Sequence, residues 1–178
     1  FAVIKPDYRG HGRFEGRVEG QTRTILYTVD VLNLLAGLER IEGIDPSRIF
    51  LYGHSMGGEI ALRILEVTSG VRGATLWAPV TRPFPENTLH YTRRRNPQEA
   101  GEALRRLESQ IAPAIWPTLS PVESLDRIEA PLMLHHGTAD ESVPFAWSAP
   151  FRERLDAAGV AYTYHEYPGA NHNISSSF

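Results

Sequence analysis

Two rhythms of apolar residues alternate along the chain. Phe1–Ile4 is a short apolar run stopped by Lys5-Pro6-Asp7, and it reads as a buried strand followed by a Gly-rich loop over 9–20. Arg48–Tyr52 (RIFLY) is β-branched and aromatic, while Ala74–Val80 (ATLWAPV) and Ala130–His136 (APLMLHH) are apolar runs bounded by Pro or Gly, so all three predict strands. Val160–Tyr167 alternates like a final strand. Helical spacings lie between. From about Thr22, Ile25, Val29, Leu32, Leu35 and Leu38 recur at steps of three and four, and Gly43, Asp45 and Pro46 close the segment. Glu59–Val67 (EIALRILEV) is apolar on most sides, which predicts a buried helix, and Pro144–Ala158 predicts another, with Pro150 as a second initiation point and Gly159 as its cap.

Strands and helices in alternation give an α/β class with a parallel sheet covered on both faces, and ligands of such sheets bind beyond the carboxyl ends of the strands. The interval 81–128 breaks the rhythm and predicts an insertion over that edge. It carries Arg93-Arg94-Arg95, which reads as a solvated surface rather than an anion grip, and one clear helix signal. Asn96 is the expected cap, Pro97 the first helical position and Glu99 the partner in a capping box; Ala100, Leu104, Leu107 and Ile111 share one face.

Composition narrows the functional classes. A chain of 178 residues fits a single domain, and 42% hydrophobic with 22% charged residues is ordinary for a globular protein. No apolar run approaches the roughly 20 residues that span a bilayer, so no membrane partner is expected. A net charge of -3 supplies no basic footprint for nucleic acid. With no cysteine, disulfides, thiolate metal sites and a cysteine nucleophile are excluded, and no His/Asp/Glu cluster has metal-ligand spacing. No cofactor is implied.

The chemistry concentrates in Leu51–Glu59, LYGHSMGGE. Gly53-His54-Ser55-Met56-Gly57 fits G-x-S-x-G between a predicted strand and a predicted helix, the setting in which that motif makes a strained turn presenting the serine hydroxyl. The residues two before and two after the serine are expected to need the absence of a side chain. The helix start aims backbone N–H groups at developing negative charge, which makes Met56 N–H an expected oxyanion donor. A serine needs a base to take its proton, and the base an acid to hold its tautomer. Asp140, in HGTAD after the strand ending at His136, and His172, in PGANH after the last strand, both fall on the binding edge. Glu141 and Asp126 compete less well as the acid. His54, His135 and His136 lie in or beside strands and read as packed, hydrogen-bonded core residues; His11, His90 and His165 carry little catalytic signal.

The order Ser55, Asp140, His172 is that of the α/β-hydrolases. IDPSRIFLYGHSMGG, SPVESLDRIEAPLMLHHGTADESVP, YHEYPGANH and KPDYRGHG each resemble blocks of the prolyl oligopeptidase-like branch of that fold, over nearly the whole chain except 81–120. The resemblance implies a three-layer α/β-hydrolase fold with a mostly parallel central sheet, its first strands absent here. The domain would be single, incomplete at the N-terminus, with a cap-like insertion over 81–128. It further implies acyl transfer through a Ser55 acyl-enzyme, with Asp140 matching the H-G-x-x-D spacing. The usual second oxyanion motif is missing, and Tyr8 is a weak substitute. Tyr91 and Trp116, in the insertion, are the expected substrate contacts. The leading expectation is a carboxylesterase acting on a small ester; an aminopeptidase or acylpeptide hydrolase acting on a short peptide is the alternative, and a catalytically dead binding module the third reading.

Overall fold

The computed structural model describes residues 1–13, 15–17 and 23–175 of the protein. The end of the expected Gly-rich loop at Gly20 and the expected helix start at Thr22 lie outside the described residues. Among the described residues the elements run α1 (Arg23–Gly37), β1 (Ile49–His54), α2 (Met56–Leu65), β2 (Val71–Trp77), α3 (Glu86–Arg95), α4 (Pro97–Gln110), β3 (Leu132–Gly137), α5 (Ser148–Ala158) and β4 (Tyr162–Tyr167). Short 3-10 turns cover 38–40, 113–119, 121–123, 125–127 and 145–147.

The four strands form one parallel sheet in the order β1-β2-β3-β4, with His54 beside Trp77, Trp77 beside His135 and His136 beside Glu166. This is the parallel α/β sheet that the alternation of elements predicts and that the resemblance to the α/β-hydrolases implies, but among the described residues α1, α2 and α5 all pack on one face, so the expected cover on both faces is not met. Side chains alternate across each strand, so in-register residues share a face. Leu51, Ala74, Leu76, Leu132 and Leu134 join Ile60, Leu62 and Ile64 of α2 and Phe151 and Leu155 of α5 in the main core. Burying each such aliphatic side chain contributes roughly 1.5–3 kcal/mol relative to exposure, which makes β1 and α2 a rigid seat for the turn between them. On the opposite face Phe50, Tyr52 and Met133 are exposed.

Three local readings change. Phe1–Ile4 is not a buried strand: Phe1 and Val3 are exposed, and the sheet ends at β1 with no described strand to pair this segment's backbone. In α1, Leu32 and Leu35 of the expected stripe pack on the core and Leu38 just beyond is buried, but Val29 is exposed and Tyr27, Thr28 and Val31 take up the inward side. The helix stops at Gly37 rather than near Gly43.

The segment 81–128, expected as an insertion, has a small core of Phe84, Leu89 and Leu107, packed by Leu104, Ile111 and Trp116. Its first helix, α3, has no sequence stripe and was not expected; it buries Asn87, Leu89 and Thr92. Asn96 caps α4 through Gln98 N–H at 3.2 Å with Pro97 in the first turn, but Glu99 does not close a capping box. Its carboxylate accepts from the Asn96 side-chain amide, because the Asn96 backbone N–H already donates to Thr92 as the last bond of α3.

Candidate active site

Ser55 stands between β1 and α2 with φ 58° and ψ −119°, in the left-handed half of backbone space that an L-residue resists. The neighbouring backbone holds it there. Ser55 N–H donates to Trp77 O at 2.8 Å, and Ser55 O accepts from Gly58 N–H at 3.0 Å and Val80 N–H at 3.2 Å. A Cβ at Gly53 would lie 2.4 Å from Gly57 O, and one at Gly58 would lie 2.6 Å from Pro79 Cβ. At Gly57 there is open space. The expected need for glycine on both sides of the serine therefore holds at Gly53 and fails at Gly57; the glycine required after the serine is Gly58, where α2 crosses the loop after β2. Met56 opens α2, so its N–H has no acceptor within the helix and sits at the positive end of the helix dipole.

Asp140 and His172 occupy adjoining loops after β3 and β4. Thr138 N–H bonds Tyr167 O at 3.0 Å and Ala139 N–H bonds Ala170 O at 3.0 Å, which brings the loops together. Gly137 permits this approach, since a Cβ there would lie 2.3 Å from Ala170 O. His172 Nδ1 is 2.8 Å from Asp140 Oδ2, and His172 backbone N–H donates to the Glu141 carboxylate at 3.2 Å. Asp140 Oδ1 accepts from the N–H groups of Ser142 at 2.8 Å and Val143 at 2.9 Å. Burial pushes the Asp140 carboxyl up, but the hydrogen bonds from His136, His172, Val143 and Ser142 outweigh it and hold the group well below the usual carboxylate range. Asp140 is thus a buried anion aimed at an imidazole. Among the described residues no hydrogen bond joins Ser55 Oγ to His172, a contact that often tightens only with substrate bound.

Two histidines read as packed, hydrogen-bonded residues are hydrogen-bonded as expected, and their partners include this pair. His54 Nε2 is 3.0 Å from His172 O, with the rings 4.5 Å apart, and His136 Nε2 is 3.1 Å from Asp140 Oδ2. Their place in apolar strands masked them. The available signal was adjacency, His54 next to Ser55 and His136 opening H-G-x-x-D. His135 does pack in the sheet, its Nδ1 2.8 Å from Tyr167 Oη and its ring stacked on His165.

The other expected contacts divide. Tyr91 packs on Val80, Val143 and Trp147 beside the acid loop; its buried hydroxyl has no partner among the described residues and is pushed up to about 12 by burial, then by the charges of Glu59 and Asp140. Trp116 lies edge-on to Phe84 and its indole N–H donates to Ile111 O at 3.2 Å, so it serves the insertion's core. Tyr8 is stacked on Tyr27 of α1 at 4.7 Å. Arg93 pairs with Glu86, whereas Arg94 donates to Glu141 O at 2.6 Å and so ties α3 to the acid loop. Glu59, unremarked in the sequence, is a buried junction: one of its oxygens accepts from Thr24 of α1, Arg63 of α2 and Asn87 of α3. Among the described residues no group of three or more His, Asp or Glu side chains is arranged for a metal.

Comparison with known proteins places the chain in a family. Residues 1–177 match the prolyl oligopeptidase family. Dipeptidyl aminopeptidase B of Saccharomyces cerevisiae is 29% identical over 140 residues, covering 74% of this chain and 15% of that protein. An uncharacterized protein of Mycobacterium tuberculosis is 29% identical over 173 residues, covering 97% of this chain and 53% of its own length. The chain thus spans well under two thirds of these relatives. Among solved structures, acylaminoacyl peptidase of Pyrococcus horikoshii superposes with a TM-score of 0.68 at 18% identity over 88% of this chain and 25% of that one, a likeness of fold.

Proposed function

From the premise that the chain belongs to the prolyl oligopeptidase family, we propose that it carries the catalytic groups of a serine hydrolase acting on peptides, with Ser55 as nucleophile, His172 as base and Asp140 as its orienting acid. The observation that carries the proposal is the 2.8 Å bond from His172 Nδ1 to a buried, anionic Asp140, on the same sheet edge as the strained Ser55 turn. His172 Nε2 takes the Ser55 proton as Oγ attacks the carbonyl carbon, and Met56 N–H donates to the resulting oxyanion. The imidazolium then protonates the leaving amine, the acyl–Ser55 bond remains, and His172 activates water to release the acid.

The carboxylesterase expectation gives way to its alternative. Ester and amide cleavage share one triad, so the site itself does not separate them, while the names of the relatives, dipeptidyl aminopeptidase B and acylaminoacyl peptidase, favour peptides. The segment 81–128 acts in this reading as a cap, supported by the Arg94 bond to the Asp140 loop, with Tyr91 close enough to Asp140 to feel its charge.

An organophosphonate is expected to label Ser55, and Ser55→Ala to abolish labelling. A folded wild-type protein that stays unlabelled would favour the binding module. Turnover of aminoacyl p-nitroanilides against short p-nitrophenyl esters then tests the substrate class; ester turnover with no measurable anilide cleavage would restore the esterase reading.

A further inference from the structure

His136 is left unused by the mechanism above. The ring is 2% exposed at the end of β3. Its Nε2 faces two acceptors, Asp140 Oδ2 at 3.1 Å and Val143 O at 3.1 Å, and its Nδ1 is 2.6 Å from Ser148 Oγ at the start of α5. A nitrogen between two acceptors must carry hydrogen, so Nε2–H donates, and the Ser148 hydroxyl, able to give or take, donates to Nδ1. Phe145 packs edge-on to the ring at 5.5 Å and fixes its plane. Asp140 Oδ2 therefore serves two imidazoles, His136 and His172, while Oδ1 serves two backbone N–H groups.

We propose that His136 is a positioning residue for the acid, donating to the oxygen that orients His172 and thereby fixing both the rotamer of Asp140 and the share of its charge that His172 receives. This inference rests on the assignment of Ser55, His172 and Asp140 given above. A neutral Nε2–H ring satisfies all its neighbours without moving a proton, so it does not compete with His172 as proton carrier. Its donation draws charge from Oδ2, the oxygen that His172 also faces. Loss of that donor leaves a more concentrated negative charge beside His172, which stabilises the imidazolium and makes His172 harder to deprotonate. The other ionisable groups facing this cluster are Glu141 and His54, both against His172, Tyr91, close enough to Asp140 to feel its charge, and Arg152 and Tyr164, which with His136 and Ser148 bound a cavity of about 10 Å³.

The test has two arms. Organophosphonate labelling rates between pH 5 and 9 are compared for wild type, His136→Leu and His136→Gln, and long-range nitrogen–proton NMR reads the tautomer of His136 in the wild-type protein. Labelling of His136→Leu should fall roughly tenfold or more, the scale of one hydrogen bond to a charged group. Its acid limb should move to higher pH, and His136→Gln, which keeps an N–H donor of similar reach, should recover most of the rate. His136 should be the Nε2–H tautomer. An Nδ1–H tautomer overturns the proposal, as does a His136→Leu profile that loses amplitude only with the folded fraction and keeps its acid limb in place. If His136→Leu does not fold, the tautomer and the His136→Gln profile decide. A wild-type protein that never labels would sink the serine-hydrolase reading, while the NMR arm would still judge the bond from His136 to Asp140.

Discussion

Replacing Asp140 by asparagine changes one atom in size hardly at all and reverses its hydrogen-bonding sense. Oδ1 accepts from the fixed N–H groups of Ser142 and Val143, so the asparagine oxygen has to remain there. The amide NH2 then takes the place of Oδ2, 2.8 Å from His172 Nδ1 and 3.1 Å from His136 Nε2. His172 can answer by moving its hydrogen to Nε2, which remakes the bond and leaves no lone pair to receive the Ser55 proton. His136 cannot, because Val143 O still requires a hydrogen on Nε2. Loss of the correct tautomer at such a triad lowers turnover by roughly 10⁴-fold. Stability should fall by about 1.5–3 kcal/mol, one charge-assisted bond to His136 lost and the other exchanged. Sign follows from the depressed Asp140 pKa: the wild-type advantage is present above the unfolded carboxyl value of about 3.9 and is lost as pH falls towards the lower folded value. Urea unfolding at several pH values and organophosphonate labelling of Ser55 measure the two effects. A folded Asp140→Asn protein labelled within tenfold of wild type, or a stability gap already closing near pH 6, would refute this reasoning.

Gly53→Ala should disrupt the Ser55 turn, costing about 1–3 kcal/mol by overpacking against Gly57 O and slowing labelling, whereas Gly57→Ala, facing open space, should leave both near wild type; equal damage from the two would contradict the geometry. Burial pushes Glu66 up to about 8 against the opposing charges of Arg63 and Arg127, so its contribution to stability is present below its ordinary 4.5 and is lost as pH rises through 8. Glu66→Gln should accordingly gain about 1–3 kcal/mol over wild type at pH 8.5 and little at pH 4.5, read as urea midpoints; a pH-independent difference would show that Glu66 is ordinarily ionised in the fold.

What was legible in the sequence was what a local pattern encodes. Composition, apolar spacing and helix-end residues located β1, β3, β4, α2, α4 and α5, because each buries a face against a core, the main one or, for α4, the small core of 81–128. α3 was not legible, since a helix written ENTLHYTRRR is held by contacts remote in the chain, Asn87 on Glu59 and Arg94 on the acid loop. Phe1–Ile4 misled for the converse reason: its composition is that of a strand, but a strand needs a neighbour to pair with, and sequence apolarity does not supply one.

The same distinction explains the histidines. Ser55, Asp140 and His172 each follow a strand at a recognisable spacing, so their common edge could be inferred before any geometry was known. His54 and His136 precede their partners inside apolar strands, where burial of a neutral ring is the ordinary expectation. Both are buried or half-buried as expected, yet burial and chemistry are not alternatives here. A dry setting strengthens the bond His136 makes to Asp140 and raises the cost of leaving that carboxylate unpaired, so the property that made the ring look structural is the one that lets it act on the acid.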